Sequence, residues 1–383
     1  MSAPGVSLKY RRVVAKVGTN LLTGGSDKLD ASFLADLVAQ IAGLRKQGVE
    51  LLLVTSGAIA AGQEALALPK SRRDIPLKQM MAAVGQGRLM HRYQEQFDRH
   101  KVVVAQALIT KGDLDNRESY LNVRNTLEGL VSLGVVPIIN ENDVVDVREI
   151  RDDVFGDNDN LSAVVATVVH ADLLVILTDI AGLYTADPRK DAQAKLLPRV
   201  ERIDAAIEDL AGGAGSARGR GGMITKIQAA KVATAAGIPV IIADGHEKDV
   251  LPRLVRGEAV GTLFAAAAAR ADSKHRWMLA GIGSKGAIVV DDGAAKALSL
   301  QNKSLLPAGV RAVEGKFERG DLVDIRDGRG LRIARGVTNY SSADLDKVKG
   351  ARSADVQKLL GYRFGDEVVH RNDLALVDGA KAS

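Results

Sequence analysis

The sequence predicts an α/β protein, in which a three-layer αβα domain with a mainly parallel central sheet precedes a small β-rich domain. As far as Thr262, short apolar segments alternate with helical patterns. Glycine or polar residues directly follow the apolar segments, as they do where parallel strands end beside a ligand crevice. Beyond Thr262, short strands and turns replace this alternation and indicate the second domain.

Length and composition narrow the class of protein. The 383 residues exceed what one hydrophobic core usually organises, so we expect two domains. The chain contains no cysteine, which excludes thiol catalysis, thiolate metal sites and a disulfide scaffold. No apolar run reaches the roughly 18 residues of a membrane span, and residues 1–12 lack the apolar core of a signal peptide. We therefore expect a cytoplasmic protein with no membrane contact.

The first predicted strand, residues 13–17, carries Lys16 and runs directly into Gly18. A glycine lets the backbone approach a ligand and a lysine can reach an anion, although the spacing is not that of a P-loop. A lysine at a strand end is, taken alone, more often a solvated terminus. Asp30 is predicted to cap the next helix, which ends at Gly48.

The second predicted strand, residues 51–54, is followed by Thr55, Ser56 and Gly57 and then by a helix of small residues. Two such turns would present backbone amides to a phosphorylated or carboxylate ligand. Ser56 is expected to donate or accept a hydrogen bond, because no neighbouring histidine or lysine could activate it as a nucleophile. Helices over 76–97 and 119–133 and a strand over 102–104 continue the alternation.

The most polar connection follows a predicted strand at residues 135–139. Asn140 and Asp143 come directly after this strand, and Asp157, Asn158 and Asp159 open the next helix. An ordinary helix N-cap would account for any one of these residues. Because so many polar groups flank one strand-to-helix connection, a ligand crevice with an anion near the helix N-terminus is the alternative that we pursue.

Two further segments complete the predicted site. A strand at 173–177 ends in Thr178 and Asp179, and residues 211–222 are almost all Gly, Ala, Ser and Arg. Such a loop can close over a ligand, and Lys226 lies just behind it. Lys16 and Lys226 facing one crevice would neutralise the charge that spreads over oxygens during phosphoryl transfer.

Taken in order, segments 16–20, 55–62, 139–143, 156–163, 178–179, 182–188 and 221–226 resemble the amino acid kinase family over nearly the whole chain. The resemblance is strongest to the members that phosphorylate glutamate. It implies ATP-dependent transfer to the γ-carboxylate of L-glutamate, giving γ-glutamyl phosphate in the first step of proline biosynthesis. It also implies Mg²⁺ held mainly by phosphates and water, feedback inhibition by L-proline, and a homo-oligomer, either a dimer or a tetramer.

The resemblance assigns roles to individual positions. Lys16 and Lys226 would stabilise the transferring phosphoryl group, and Asp159 would hold both lysines. The implied glutamate-binding residues are Ser56, Asp143 and Asn158, with Asp143 on the ammonium group and the other two donating to carboxylate oxygens. The implied nucleotide-binding residues are Lys16, Gly18, Thr178, Asp179, Arg220, Gly221, Gly222, Met223, Ile224, Thr225 and Lys226. Arg220 departs from the small hydroxyl residue of the family pattern, and segment 147–155 is longer than in some members.

We expect a kinase domain at 1–265, a linker at 266–276 and a second domain at 277–383. In the second domain, segments 305–309 and 320–321 resemble the PUA domain, a module of RNA-modifying enzymes. Its basic charge and its aromatic residues Phe317, Tyr340 and Phe364 make RNA binding an alternative function. This alternative is less favoured, because a small domain needs about this many aromatic residues for its hydrophobic core and because its excess of basic residues is small. A kinase of the same fold that acts on aspartate or N-acetylglutamate is the other alternative, which fold alone does not exclude.

Overall fold

The computed structural model describes residues 8–26, 28–67, 74–145, 158–212, 222–266 and 284–377. Arg220, Gly221, Asp157, segment 147–155 and all but the first residue of the expected linker lie outside these ranges. The chain divides into two units, Met1–Asp113 with Leu127–Ala268, and Leu114–Thr126 with Ala269–Ser383. No described helix combines the length and the apolar character needed to cross a membrane.

An eight-stranded sheet organises the first unit, and its order across the sheet is β3-β4-β2-β1-β5-β7-β8-β6. Each neighbouring pair is parallel except β7 and β8, so the prediction of a mainly parallel sheet is confirmed. The strands are β1 (Arg12–Val17), β2 (Glu50–Thr55), β3 (Val104–Ile109), β4 (Val136–Glu141), β5 (Leu173–Thr178), β6 (Arg199–Val200), β7 (Val240–Asp244) and β8 (Thr262–Phe264).

Helices connect these strands. Those that the structure describes up to residue 256 are α1 (Thr19–Thr23), α2 (Ala31–Lys46), α3 (Ala58–Leu66), α4 (Ile75–Asp98), α5 (Lys111–Asp115), α6 (Arg117–Ser132), α7 (Asn158–Val168), α8 (Ala205–Leu210), α9 (Met223–Ala235) and α10 (Val250–Arg256). The predicted cap of α2 is confirmed, because the Asp30 carboxylate accepts hydrogen bonds from the backbone N–H groups of Ser32 and Phe33.

The two faces of β1 have different environments because alternate side chains of a strand point to opposite faces. Val13, Ala15 and Val17 pack into one hydrophobic core with buried residues of α2. Lys16 has the opposite parity and reaches α7. Strand β1 also lies between β2 and β5, where the strand order changes direction. Such a switch point opens a crevice at the carboxyl ends of the strands, beside Lys16.

Most predicted elements are shifted by only a few residues, but the predicted strand at 102–104 is wrong in position. Strand β3 begins at Val104, where it starts to pair with Val136 of β4. The preceding residues complete the turn after α4, in which Lys101 adopts φ +59° and Val103 is exposed. Helix α9 begins three residues before Lys226 and therefore contains it.

The second unit contains a five-stranded sheet in the order β10-β9-β11-β12-β13, in which only β9 and β11 are a parallel pair. Its strands are β9 (Gly286–Val290), β10 (Val310–Gly315), β11 (Leu322–Arg326), β12 (Arg332–Val337) and β13 (Leu374–Leu376). Its helices are α11 (Asp292–Gln301), α12 (Ser342–Val348) and α13 (Val356–Leu360). Phe317 and Tyr340 are buried in the core of this unit, the structural role that the sequence favoured.

Candidate active site

Two lysines and one aspartate form the charged centre of the first unit. Lys16 Nζ lies 2.7 Å from Asp159 Oδ1, and Lys226 Nζ lies 3.1 Å from Asp159 Oδ2. All three side chains are buried, with Asp159 fully inaccessible and Lys226 7% exposed. Two ammonium groups therefore face one carboxylate in a place with little water. An anionic ligand is the group that such a centre stabilises.

Helix α7 and helix α9 position this centre against β1. Thr225 Oγ1 lies 2.8 Å from Asp159 Oδ2 and donates to it, so both carboxylate oxygens have partners. Ser162 Oγ donates to the backbone carbonyl of Asp159 at 2.6 Å. The carboxylate is therefore held as the common acceptor for both lysines, and its geometry fixes the distance between the two ammonium groups.

Glycines shape the turns after β1 and β2, but for different reasons. Gly57 adopts φ +99° at the start of α3, a conformation that other residues rarely adopt. Gly18 has an ordinary extended conformation, so its backbone does not require glycine. A Cβ at Gly18 would instead lie 3.6 Å from Lys16 Nζ, within van der Waals contact of the lysine amine. Glycine here keeps the space beside that amine open.

A pocket of about 380 Å³ lies at the carboxyl ends of β1, β2 and β4. The three predicted substrate-binding residues, Ser56, Asp143 and Asn158, all line it. The other lining residues are Thr19, Asn20, Thr23, Gly25, Ser26, Gly57, Ala58, Ile59, Ala60, Gln63 and Asn140. The pocket is therefore polar and small, of a size for a short polar metabolite rather than a large apolar ligand.

Asn158 anchors the wall of this pocket. Its Nδ2 donates to Thr55 O at 3.0 Å, to Ser56 Oγ at 3.1 Å and to Asn140 Oδ1 at 2.9 Å. Its Oδ1 is buried and has no hydrogen-bond partner within the described ranges. The N–H groups of Asn158 thus face protein acceptors, which does not fit the sequence-based expectation that they donate to a substrate carboxylate.

Helix α4 contributes two glutamines that sequence reasoning missed. Gln86 Oε1 accepts a hydrogen bond from Asn140 Nδ2 at 2.9 Å. Gln79 Nε2 donates to the carbonyl oxygens of Asp143 and Val144, at 3.3 and 2.9 Å. Nothing in the local sequence marks a glutamine within a helix as part of a site 54 residues away. Their helical spacing of seven residues was the one available signal, since it places both on one face.

The predicted nucleotide residues that the structure describes lie beside this pocket without lining it. Thr178 Oγ1 donates to Asp179 Oδ1 at 3.1 Å, and Asn20 Nδ2 donates to Asp179 Oδ2 at 3.2 Å. Burial raises the pKa of Asp179, but the hydrogen bonds from Asn20 and Thr178 and the charge of Lys226 outweigh it, so the net pKa lies below the ordinary value. Asn20 also lines the pocket and joins the two regions.

The described residues contain no group of three or more His, Cys, Asp or Glu side chains that could hold a metal ion. Asp159 already faces two lysines, and Asp179 is hydrogen bonded to Asn20 and Thr178. A divalent cation that arrives on the phosphates of a nucleotide fits this donor set, since phosphates and water then provide most of its ligands. A cage made of protein side chains does not fit it.

Comparison with known proteins adds two family matches and several full-length relatives. Residues 11–244 match the amino acid kinase family, and residues 286–360 match the PUA domain. A glutamate 5-kinase from Dehalococcoides mccartyi is 50% identical over 96% of this chain and 99% of its own. Glutamate 5-kinases from Herpetosiphon aurantiacus and Deinococcus radiodurans are 50% and 51% identical, over 95% and 96% of this chain and 98% and 100% of theirs.

Proposed function

The chain belongs to the amino acid kinase family and, within it, to the glutamate 5-kinases, and from this premise we propose that it phosphorylates L-glutamate with ATP. The γ-carboxylate oxygen of glutamate attacks the γ-phosphorus of ATP, and the bond from that phosphorus to the bridging oxygen of ADP breaks. The products are γ-glutamyl phosphate and ADP, in the first step of proline biosynthesis. The nucleophile is already ionised at neutral pH, so the reaction needs no general base.

The observation that carries this proposal is the pairing of Lys16 and Lys226 with one buried carboxylate, Asp159. Phosphoryl transfer spreads negative charge over the equatorial and leaving oxygens, and two fixed ammonium groups neutralise that charge in place. Asp159 keeps the lysines apart and oriented before the substrates arrive, because each of them pairs with a different oxygen. Its role is to position the lysines rather than to accept a proton.

We assign the polar pocket to glutamate and the neighbouring surface to the nucleotide. Asp143 and Asn158 supply acceptors for the ammonium group, and Ser56 is a neutral hydrogen-bonding partner. Thr178, Asp179 and the start of α9 at Met223 are assigned to ATP, together with Gly18, Gly222, Ile224 and Thr225. Arg220 and Gly221 belong to the same assignment by resemblance alone. Mg²⁺ would be held by the phosphates of ATP and would supply further neutralisation of their charge.

Two further proposals concern regulation and assembly. L-Proline, which shares the α-carboxylate and amino nitrogen of glutamate, would inhibit by competing at or beside residues 140–158. A homo-oligomer is supported by helix α4, which exposes Met80 and Val84, and by the exposed Val144 and Val145 near it.

For the domain limits, we propose a kinase domain at 1–265, a linker at 266–276 and a PUA-like domain at 277–383. RNA binding by the second unit stays the less favoured alternative.

ADP release measured side by side with L-glutamate, L-aspartate and N-acetyl-L-glutamate tests the proposed function. We expect turnover with glutamate and little with the other two, because aspartate is one methylene shorter and the acetyl group removes the ammonium charge. Equal or faster turnover with N-acetylglutamate would overturn the assignment of Asp143 to an ammonium group. Turnover that glutamate does not stimulate would overturn the proposed function itself.

A further inference from the structure

We infer that Gln86 is a positioning residue for recognition of the substrate's amino group, and that it acts through Asn140 on the amide of Asn158. The inference rests on the proposed function, because it takes the pocket lined by Asn158 as the glutamate site. Gln86 does not line that pocket, so its effect must pass through the hydrogen bonds that join it to Asn158.

Two backbone groups set the direction of these hydrogen bonds. The N–H of Glu141 donates to Asn140 Oδ1 at 2.9 Å, so that atom is the carbonyl oxygen. The backbone carbonyl of Thr55 accepts a hydrogen bond from the side chain of Asn158 at 3.0 Å, so the Asn158 atom that faces it is the amide nitrogen, Nδ2. A backbone N–H only donates and a backbone carbonyl only accepts, which means that neither side-chain amide can be turned over without losing a bond. Gln86 must therefore present its oxygen to Asn140.

With the hydrogen bonds in this direction, the side-chain oxygen of Asn158 is left to accept from a ligand. Its N–H groups face Thr55, Ser56 and Asn140, whereas Oδ1 is buried without a partner in the described part of the chain. A buried acceptor without a partner is unfavourable, so the bound state is expected to supply a donor. The ammonium group of glutamate is a donor only, whereas its two carboxylates are acceptors. Asn158 therefore recognises the amino group and complements Asp143.

Gln86 reaches Asn140 because α3 and α4 cross in unusually close contact. A Cβ at Gly85 would overlap the carbonyl oxygen of Ala58, and a Cβ at Gly62 would overlap that of Met81. The two backbones thus touch one residue away from Gln86, which fixes the backbone from which that side chain extends. Two turns earlier on the same helix face, Gln79 holds the carbonyl oxygens of Asp143 and Val144. Helix α4 therefore supports both acceptors proposed for the ammonium group.

Three variants of the full-length protein separate this role from simple packing. Gln86→Met keeps the side-chain length and removes the acceptor for Asn140. Gln86→Glu keeps an acceptor oxygen at the same position, and so restores the bond to Asn140 Nδ2. Gln94→Met makes the same chemical change at an exposed position of α4 and controls for any general effect on the helix. Steady-state ADP release gives KM and kcat, and competition by glutarate, which lacks the amino group, isolates amino-group recognition.

We expect Gln86→Met to raise the KM for glutamate on the order of tenfold, because a buried donor on Asn140 loses its acceptor and the amide of Asn158 is released. The kcat at saturating glutamate, the KM for ATP and the inhibition constant of glutarate should each stay within about threefold. Gln86→Glu should recover most of the loss, and Gln94→Met should match the parent protein.

Several results would overturn the inference. An unchanged KM for glutamate in Gln86→Met would show that Gln86 does not act on the pocket. If Gln86→Met weakened the binding of glutamate and of glutarate equally, the cause would be a general distortion of the pocket rather than loss of amino-group recognition. The same conclusion would follow if Gln86→Glu raised the KM for glutamate as much as Gln86→Met does. Failure of the proposed function looks different, because the unaltered protein would then show no ADP release that depends on glutamate.

Discussion

Replacing Lys226 by methionine tests whether charge at the buried centre carries catalysis. Methionine keeps most of the length and apolar contact of lysine and deletes its charge. In the variant, Asp159 still faces Lys16 at 2.7 Å and the Thr225 hydroxyl at 2.8 Å, so the carboxylate keeps partners on both oxygens. The charge of the three ionised groups falls from one net positive unit to zero. The substitution removes the ammonium group that we propose neutralises the developing anion.

Loss of one preorganised charge partner of a transition state lowers kcat on the order of 10²- to 10³-fold. The KM values for ATP and glutamate should change much less, because an interaction that strengthens only in the transition state contributes little to ground-state binding. Removal of Asp159 is a less informative experiment. It would remove the carboxylate that both buried lysines face. Breaking a buried ion pair costs about 3–5 kcal/mol in stability, so the experiment would confuse unfolding with lost catalysis.

Steady-state ADP release at saturating ATP and glutamate measures the effect, with Lys231→Met as the matched control. Lys231 lies on the same helix, is exposed, and pairs with Glu208 at the surface, where an ion pair contributes about 1 kcal/mol or less. The control should therefore keep its kcat and lose little stability. A near-normal kcat for Lys226→Met, in a protein with unaltered thermal unfolding, would remove Lys226 from catalysis and leave Lys16 as the lysine assigned to the phosphoryl group.

Three further predictions use other parts of the chain. Asp143→Ala should raise the KM for glutamate more than it lowers kcat, and the opposite pattern in steady-state kinetics would contradict its assignment to the ammonium group. A chain ending after residue 272 should still phosphorylate glutamate in the ADP assay, but with a lower melting temperature. The reason is that residues 114–126 group with the second unit, in which buried Arg124 pairs with Asp373. A soluble truncated chain that binds neither substrate would refute the independence of the kinase domain. Hydrogen bonds from the Ser32 side chain and the Phe33 N–H hold the pKa of Asp30 below its ordinary value. The stabilising contribution of the charged carboxylate is therefore present above the unfolded-state pKa and is lost on acidification, so the difference in urea midpoint between the parent and Asp30→Asn should shrink below about pH 4.

The sequence predicted most of the sheet because apolar β-branched segments bounded by glycine and polar residues have few alternatives in a chain of this length. The same patterning placed Lys16, Ser56, Asn158 and Thr178 at strand or helix ends, and parallel strands bring such ends to one edge. The expectation that Asp159 holds both lysines came from the family resemblance, and the structure brings the three side chains together. The position of β3 did not follow from the sequence pattern, because Val102 and Val103 resemble a strand by composition, whereas pairing with β4 begins only at Val104.

The glutamines of α4 could not be predicted, since their contribution depends on tertiary contacts. A helical glutamine is usually a solvated residue, whereas Gln86 lies next to the close crossing at Gly62 and Gly85 and bonds to Asn140. The hydrogen-bonding direction of Asn158 was equally hidden. An asparagine side chain can both donate and accept. Its orientation here is set by the backbone carbonyl of Thr55, at the end of β2, which accepts a hydrogen bond from Nδ2.

The proposed active site and the fold of the first unit share the same charges. Lys16 is a residue of the central strand, and its counter-ion Asp159 is inaccessible to solvent at the start of α7. Replacing a buried ion pair by packed apolar residues is often neutral or stabilising, by up to about 4 kcal/mol. The charges at this centre are accordingly better explained by their proposed role on a bound phosphoryl group than by a contribution to the stability of the sheet.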